Sequence, residues 1–380
     1  MPSPARSETG DPLLLTPGPL TTSKTVKQAM VHDWGSRDAA FIALNAEAME
    51  SLPKIIHGES AYVTVPMQGS GTFAVEAMLT TFVPRHGAAL VLINGAYGQR
   101  AKRILAIAGR QTFVHETAED TPPDLDAVER ILAETPAITH VFAVHCETTS
   151  GILNPIERIA ALCTRHGRRL LVDAMSAFGA LELDARTTPF DAVAASANKC
   201  LEGVPGLGFV VCRREALAAT EGNATTLSLD LLDQRRSLEK TGQYRFTPPI
   251  HVIVAFHQAL QEFFAEGGVA GRGHRYSENA RILIGGMRSL GFETLLPDAL
   301  QAPIIATFRT PNHPDFVFQR FYDSLKARGY VIYPGKLTVA DSFRIGCIGR
   351  LYPGHMRGVL EAARETLEEM GVALAPVLAT

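Results

Sequence analysis

The sequence predicts an α/β fold: a large domain with a mostly parallel, seven-stranded sheet flanked by helices, followed by a smaller C-terminal α+β domain. Short apolar runs alternate with helical stretches from Tyr62 to Val211, the order that buries a parallel sheet between helices on both faces. At 380 residues the chain exceeds one ordinary domain. Past about Leu227 the alternation loosens, and Gly267-Gly268-Val269-Ala270-Gly271 marks a hinge into a second region. The expected division is an N-terminal arm at 1–30 packing with the small domain, a large domain at 31–265 and a small domain at 266–380.

The elements follow in order. Met1 to Pro12 is polar and rich in Pro and Ser, lacks the apolar core of a signal peptide, and reads as a disordered tip. Thr16-Pro17-Gly18-Pro19 is a rigid turn. A short helix starts near Thr25 and a long one runs from about Phe41 to Ile56. The loop between them, His32 to Asp38, carries the single Trp34 and reads as either a binding loop or a dimer contact. Strand Tyr62–Val65 leads through Gln68-Gly69-Ser70-Gly71-Thr72 into helix Phe73–Phe82. The next strands are Leu90–Ile93, Thr112–Val114, His140–Val144, Leu170–Val172, Phe190–Ala195 and Gly208–Val211. Between them lie helices Gln99–Ala108, Leu125–Ala133 and Ile156–His166. The C-terminal region reads as helices Val252–Ala265, Arg275–Leu290, Phe316–Arg328 and His355–Met370, with strands Ile304–Phe308, Val331–Tyr333 and Ser342–Gly346.

Composition excludes several classes. A net charge of −3 without a basic stripe argues against nucleic acid, and no apolar run approaches a membrane span. The five cysteines are scattered with no C-x-x-C pair, which fits reduced thiols in the cytoplasm. Cys200 beside Lys199 reads as a packing residue rather than a nucleophile. The histidines form no metal-ligand spacing.

Two strand ends carry the chemistry. Leu170-Leu171-Val172 ends in Asp173, and the run to Ala195 ends in Ser196-Ala197-Asn198-Lys199-Cys200. Ligands of open α/β sheets bind beyond the carboxyl ends of strands, so an amine and a carboxylate arrive in one crevice. That pair is what pyridoxal phosphate requires: the lysine bonds its aldehyde, and the aspartate keeps its ring nitrogen protonated. Taken alone, each residue reads more readily as a surface lysine and a helix-capping aspartate, and it is the glycines, hydroxyls and arginine below that reverse the balance. A glycine loop opening a helix at Ser70-Gly71-Thr72 suits a phosphate, although a tight connection without a ligand has the same pattern. Gly69 to Ala74 also fits the dinucleotide spacing G-x-G-x-x-A, but the strand ending at Ile93 supplies no carboxylate for a ribose. The hydroxyls of Glu147-Thr148-Thr149-Ser150 lie at another strand end. Arg344, on an apolar strand, is a candidate anion clamp.

With these blocks assembled, the chain resembles the class V aminotransferases of pyridoxal-phosphate fold type I over nearly its whole length, Leu13 to about Val372. The resemblance rests on Leu14 to Ser23, Gln68-Gly69-Ser70-Gly71, Asn94-Gly95-Ala96-Tyr97-Gly98 and Glu147 to Gly151. It continues through Val172 to Ser176, Ser196 to Cys200, Arg245-Phe246-Thr247, Val331 to Lys336 and Phe343 to Gly346. It implies Lys199 and Asp173 as catalytic residues. It implies Ser70, Gly71 and Thr72 on the cofactor phosphate, Tyr97 stacked on the ring and Thr148 on its phenolic oxygen. Thr247, with Tyr244, is implied to reach the cofactor of a neighbouring subunit, hence a homodimer with a shared site. Gly18 and Arg344 are implied to meet the substrate. Within the class, the first and last blocks imply 2-aminoethylphosphonate as amino donor and pyruvate as acceptor, with an alanine- or serine–glyoxylate activity as the alternative. The hydroxyls and N–H groups near Gly18 to Ser23 are then the expected donors for the third phosphonate oxygen.

Overall fold

A computed structural model describes residues 4–337 and 340–377. Its centre is a seven-stranded sheet in the spatial order Tyr62–Gln68, Leu207–Arg213, Ala192–Ser196, Arg169–Asp173, Ile138–Val144, Ala88–Ile93, Gln111–Glu116. Every neighbouring pair is parallel except the two made by Leu207–Arg213, which runs antiparallel to both its neighbours. The reason is local. Only residues 197–206 join Ala192–Ser196 to Leu207–Arg213, and a parallel crossover needs a dozen residues or more. The short return keeps the loop bearing Lys199 at the carboxyl end of the sheet.

The strands read as continuous apolar runs because both faces are buried. Leu90, Leu92, Val141, Leu170, Val172, Val193, Phe209 and Val211 point into one core. Their neighbours Val91, Ile93, Phe142, Leu171, Ala194, Val210 and Cys212 point into the other. Helices Ala39–Ile55, Leu125–Glu134, Ile156–Arg165 and Ile250–Ala265 cover the first face, and Gly71–Phe82 and Ala96–Ile107 the second. Trp34 packs half-buried against the first core. A separate apolar cluster around Phe292, Phe308, Phe321 and Phe343 lies with the three-stranded antiparallel sheet of Ile305–Arg309, Ser342–Gly346 and Tyr333–Pro334.

Several expectations need correction. The tip expected to be disordered is instead tied down from residue 4 onward: Ala5 N–H donates to the Arg328 carbonyl at 2.9 Å, Arg350 bonds Glu8, and Lys27 pairs with Asp11. Met1 to Ser3 lie outside the described residues. Leu13–Leu14 forms a parallel strand on Tyr330–Val331, which splits the expected strand Val331–Tyr333 into two short pieces facing different partners. The glycine run at 267–271 is no open hinge, since helix Gly268–Ser289 begins within it directly after Ile250–Ala265. Gly267 and Gly268 turn the chain at left-handed φ of 100° and 64°, a Cβ on Gly271 would strike the Glu266 carbonyl oxygen, and just beyond the run one on Gly273 would come 2.5 Å from the Ala180 oxygen. Helix Leu231–Thr241 was not expected. Asp230 caps its start by accepting from the Asp233 N–H, and left-handed Gly242 ends it.

Candidate active site

The strand ends at Val144, Asp173 and Ser196 open, with the start of helix Gly71–Phe82, into one cavity of about 500 Å³. Ser70, Gly71, Thr72, Tyr97, Asp173 and Lys199 all line it, so six sequence-predicted residues come together. Helix Gly71–Phe82 starts without a side-chain cap, because Ser70 is extended and spends no hydroxyl on the helix. Its free N–H groups and positive dipole end therefore face the cavity.

Lys199 sits in a tight turn: Glu202 N–H donates to its carbonyl at 2.8 Å, and Gly203 N–H to that of Ala197 at 2.8 Å. Glu202 holds a left-handed φ of 57°. Its buried carboxylate accepts from Arg275 at 2.7 Å and from the Tyr276 hydroxyl at 2.6 Å, which fastens the turn to helix Gly268–Ser289. The Lys199 Nζ donates to the Pro17 carbonyl at 2.5 Å. Gly18 follows at φ +123°, and a Cβ there would come 2.7 Å from the lysine side chain. Burial is the main cause that brings the Lys199 ammonium down to about 8, with Arg344 adding to it.

Asp173 Oδ1 accepts from the Met175 N–H at 2.9 Å. Burial pushes its carboxyl up to about 6 and nearby Glu147 pushes the same way, outweighing the Met175 N–H and the charges of Arg100 and Lys199, and among the described residues it forms no ion pair. Glu147, fully buried, accepts from the N–H groups of Tyr97 at 3.1 Å and Thr149 at 3.1 Å. An acid against the first turn of helix Ala96–Ile107 complements its dipole and fixes Tyr97, which lies inside the helix rather than in the expected loop.

The other residues stand apart from the cavity lining. Thr148 is buried beside it, with an unpartnered Oγ1, while its carbonyl accepts from Arg344 Nη1 at 2.8 Å. Arg344 is 3% exposed. Tyr244 bonds Asn45 at 3.1 Å and, with half-exposed Phe73 and Phe246, lines a different cleft of about 250 Å³. Thr247 is exposed. Cys200 is wholly buried, its thiol pushed up to about 12 by burial. His57, Glu182 and Asp184 bring ligand atoms within 4.8 Å of one another at the surface, but Arg186 already grips Asp184.

Sequence reasoning missed Arg100, Met175, Ser196 and Asn198 in the lining. Arg100 was within reach of it. Three positions after Tyr97 on one helix, it shares that face, lies over the Tyr97 ring at 4.9 Å and donates to Thr72 Oγ1 at 3.0 Å. The buried Ser196 Oγ has no partner, so this pocket of uncapped N–H groups, an amine and an acid retains polar valence for a ligand. Those groups fit a phosphorylated pyridine aldehyde.

The class V aminotransferase family model matches residues 22–329. The 2-aminoethylphosphonate–pyruvate transaminase of Pseudomonas putida is 54% identical over 361 residues, covering 95% of this chain and 98% of its own. A 2-aminoethylphosphonate–pyruvate transaminase 1 of Polaromonas sp. is 52% identical over 370 residues, covering 97% and 99%. The pyridoxamine–pyruvate aminotransferase structure from Mesorhizobium loti superposes with a TM-score of 0.88 at 26% identity, covering 97% of this chain and 95% of that one. The alanine–glyoxylate aminotransferase of Nostoc sp. shares the fold, with a TM-score of 0.87 at 23% identity and 96% and 97% coverage.

Proposed function

The chain belongs to the class V aminotransferases, which use pyridoxal phosphate, and from that premise we propose that it transfers the amino group of 2-aminoethylphosphonate to pyruvate, giving phosphonoacetaldehyde and alanine. The observation that carries the reading is the meeting of Lys199 and Asp173 in one cavity at the mouth of an uncapped helix, in a chain this similar to transaminases of that name.

Pyridoxal phosphate, when bound, supplies an electron sink that lets an amino-bearing carbon lose its proton. The chain's own residues do the rest. Ser70, Gly71 and Thr72 hold the phosphate with N–H and hydroxyl donors. Asp173 would keep a proton on the ring nitrogen, a cation that would sit against its buried carboxylate. Tyr97 would lie against the ring, and the free hydroxyl of Thr148 would serve the phenolic oxygen. Lys199 Nζ moves the proton at the donor carbon. An amine near 8 rather than its ordinary 10.5 is a usable base at neutral pH. Gly18 and the Pro17 carbonyl hold that amine from the arm side, and Arg344 grips the acid group of each substrate in turn.

The active unit is a homodimer in which Tyr244 and Thr247 serve the partner's cofactor. Apolar Phe73 and Phe246, 50% and 45% exposed beside the phosphate loop, support a covered face there. Five unpaired, buried cysteines fit a cytoplasmic enzyme. Among the described residues no helix is long and apolar enough to cross a membrane.

Half-reactions test the assignment. The purified protein is mixed with 2-aminoethylphosphonate, alanine or serine, and loss of its visible cofactor band is followed. The phosphonate is expected to convert it quickly while serine is inert. Fast conversion by serine and none by the phosphonate would assign the chain to the glyoxylate-dependent activities.

A further inference from the structure

Three cations lie over the neighbouring rings of Tyr97 and Tyr333 without a carboxylate in contact among the described residues. Arg100 and Lys336 lie over the Tyr97 ring, at 4.9 and 5.2 Å from its centroid, and Arg344 lies over Tyr333 at 5.4 Å. Among the described residues none of the three forms an ion pair. The acid nearest in effect is Glu147, whose oxygens are taken by the N–H groups of Tyr97 and Thr149. The mutual crowding is felt: burial first, then Arg100 and Arg344, lower the Lys336 ammonium.

Two of the cations are already committed. Arg100 bonds Thr72 at the phosphate loop, which assigns it to the cofactor side. Arg344 donates through Nη1 to the Thr148 carbonyl at 2.8 Å, and through Nε and Nη2 to that of Pro334 at 3.2 and 3.1 Å. That leaves a single N–H on each Nη, enough for the two oxygens of a carboxylate. A phosphonate brings a third oxygen and up to one more negative charge. Two of the arm's hydroxyls, expected to meet it, are already engaged within the chain: Thr21 Oγ1 accepts from the Leu14 N–H at 2.8 Å. Ser23 Oγ donates to Glu262 at 2.9 Å and accepts from the Val26 N–H at 3.1 Å. Lys336, exposed and with no ion pair or hydrogen bond among the described residues, is the cation that remains.

We infer that Lys336 is a specificity-determining residue that takes the third phosphonate oxygen, while Arg344 serves phosphonate and carboxylate alike. The inference rests on the aminophosphonate reading above. It explains how one site can accept both acids in turn and still prefer a phosphonate donor, since an ammonium is a compact charge with rotatable donors.

The test compares the loaded wild-type enzyme with Lys336→Gln and Lys336→Arg. Two unreactive probes, ethylphosphonate and propionate, are titrated for equilibrium binding. Half-reaction rates with 2-aminoethylphosphonate and alanine are measured alongside. Losing one charge-assisted hydrogen bond predicts that Lys336→Gln shifts the phosphonate-to-carboxylate ratio of dissociation constants about tenfold against the phosphonate. Lys336→Arg should recover most of that ratio. An unchanged ratio in Lys336→Gln would overturn the inference while leaving the transaminase reading intact. A wild-type protein inert to 2-aminoethylphosphonate would overturn that reading, and the ethylphosphonate titration would still read Lys336 by itself.

Discussion

Asp173 shows what a single residue is asked to tolerate. With a folded value of about 6 against an ordinary 3.8, its carboxyl binds protons more tightly in the folded chain. Its contribution to stability is therefore full below about 3.8 and is lost as pH rises through 6, so at neutral pH the cofactor-free fold carries a strained charge. Asp173→Asn removes the charge and keeps an oxygen for the Met175 N–H. The cofactor-free variant should be more stable than wild type at pH 7, by roughly 1–3 kcal/mol, and the gap should close as pH falls toward 4. Turnover by the loaded variant should drop severely, because an amide cannot hold the ring nitrogen protonated. Melting curves across pH beside a rate measurement check both halves. Near wild-type turnover would remove Asp173 from its role.

At the scale of elements, helix Gly268–Ser289 supplies a paired comparison. Gly285 is exposed and a Cβ there meets nothing within 4 Å, whereas a Cβ on Gly271 would collide with the Glu266 backbone. Gly285→Ala should stabilise by about 0.5–1 kcal/mol through helix propensity. Gly271→Ala should destabilise by about 1–3 kcal/mol, since backbone must move. Denaturant unfolding separates them, and equal effects would mean the glycines are interchangeable. The same helix marks the limit of the sequence. A run of glycines looks like a hinge because glycine's freedom is local and readable, but the packing that pins the turn, such as the approach of Gly273 to the Ala180 carbonyl, is tertiary. The seven strands were legible because a doubly buried sheet demands unbroken apolar runs. Helix Leu231–Thr241 was not, since Gln234 to Lys240 is mostly polar, although its Asp230 and Gly242 boundaries were there to be used. The cavity floor was legible because Ser70 to Thr72, Asp173 and Lys199 each follow a strand. Lys336 and the Pro17 carbonyl were not, because their approach depends on how the C-terminal region folds back.

For the whole molecule, the separation of Tyr244 and Thr247 from the Lys199 cavity has a consequence in mixed dimers. One chain carries Lys199→Ala and the other Thr247→Ala. If Thr247 serves the partner's site, one of the two sites is wholly intact, and the mixed dimer should retain cofactor at that site through dialysis with about half of wild-type activity. If Thr247 serves its own chain, neither site is whole and no such recovery appears. The arm adds a constraint in time. Leu13–Leu14 lies on Tyr330–Val331, and Pro17 closes over Lys199. The segment made first thus waits for a strand made almost last, a delay of tens of seconds at about 5–20 residues per second. Until Tyr330 emerges the arm has no edge to join and the lysine has no lid. The ribosome must deliver nearly the whole chain before any of it can hold its amine in place.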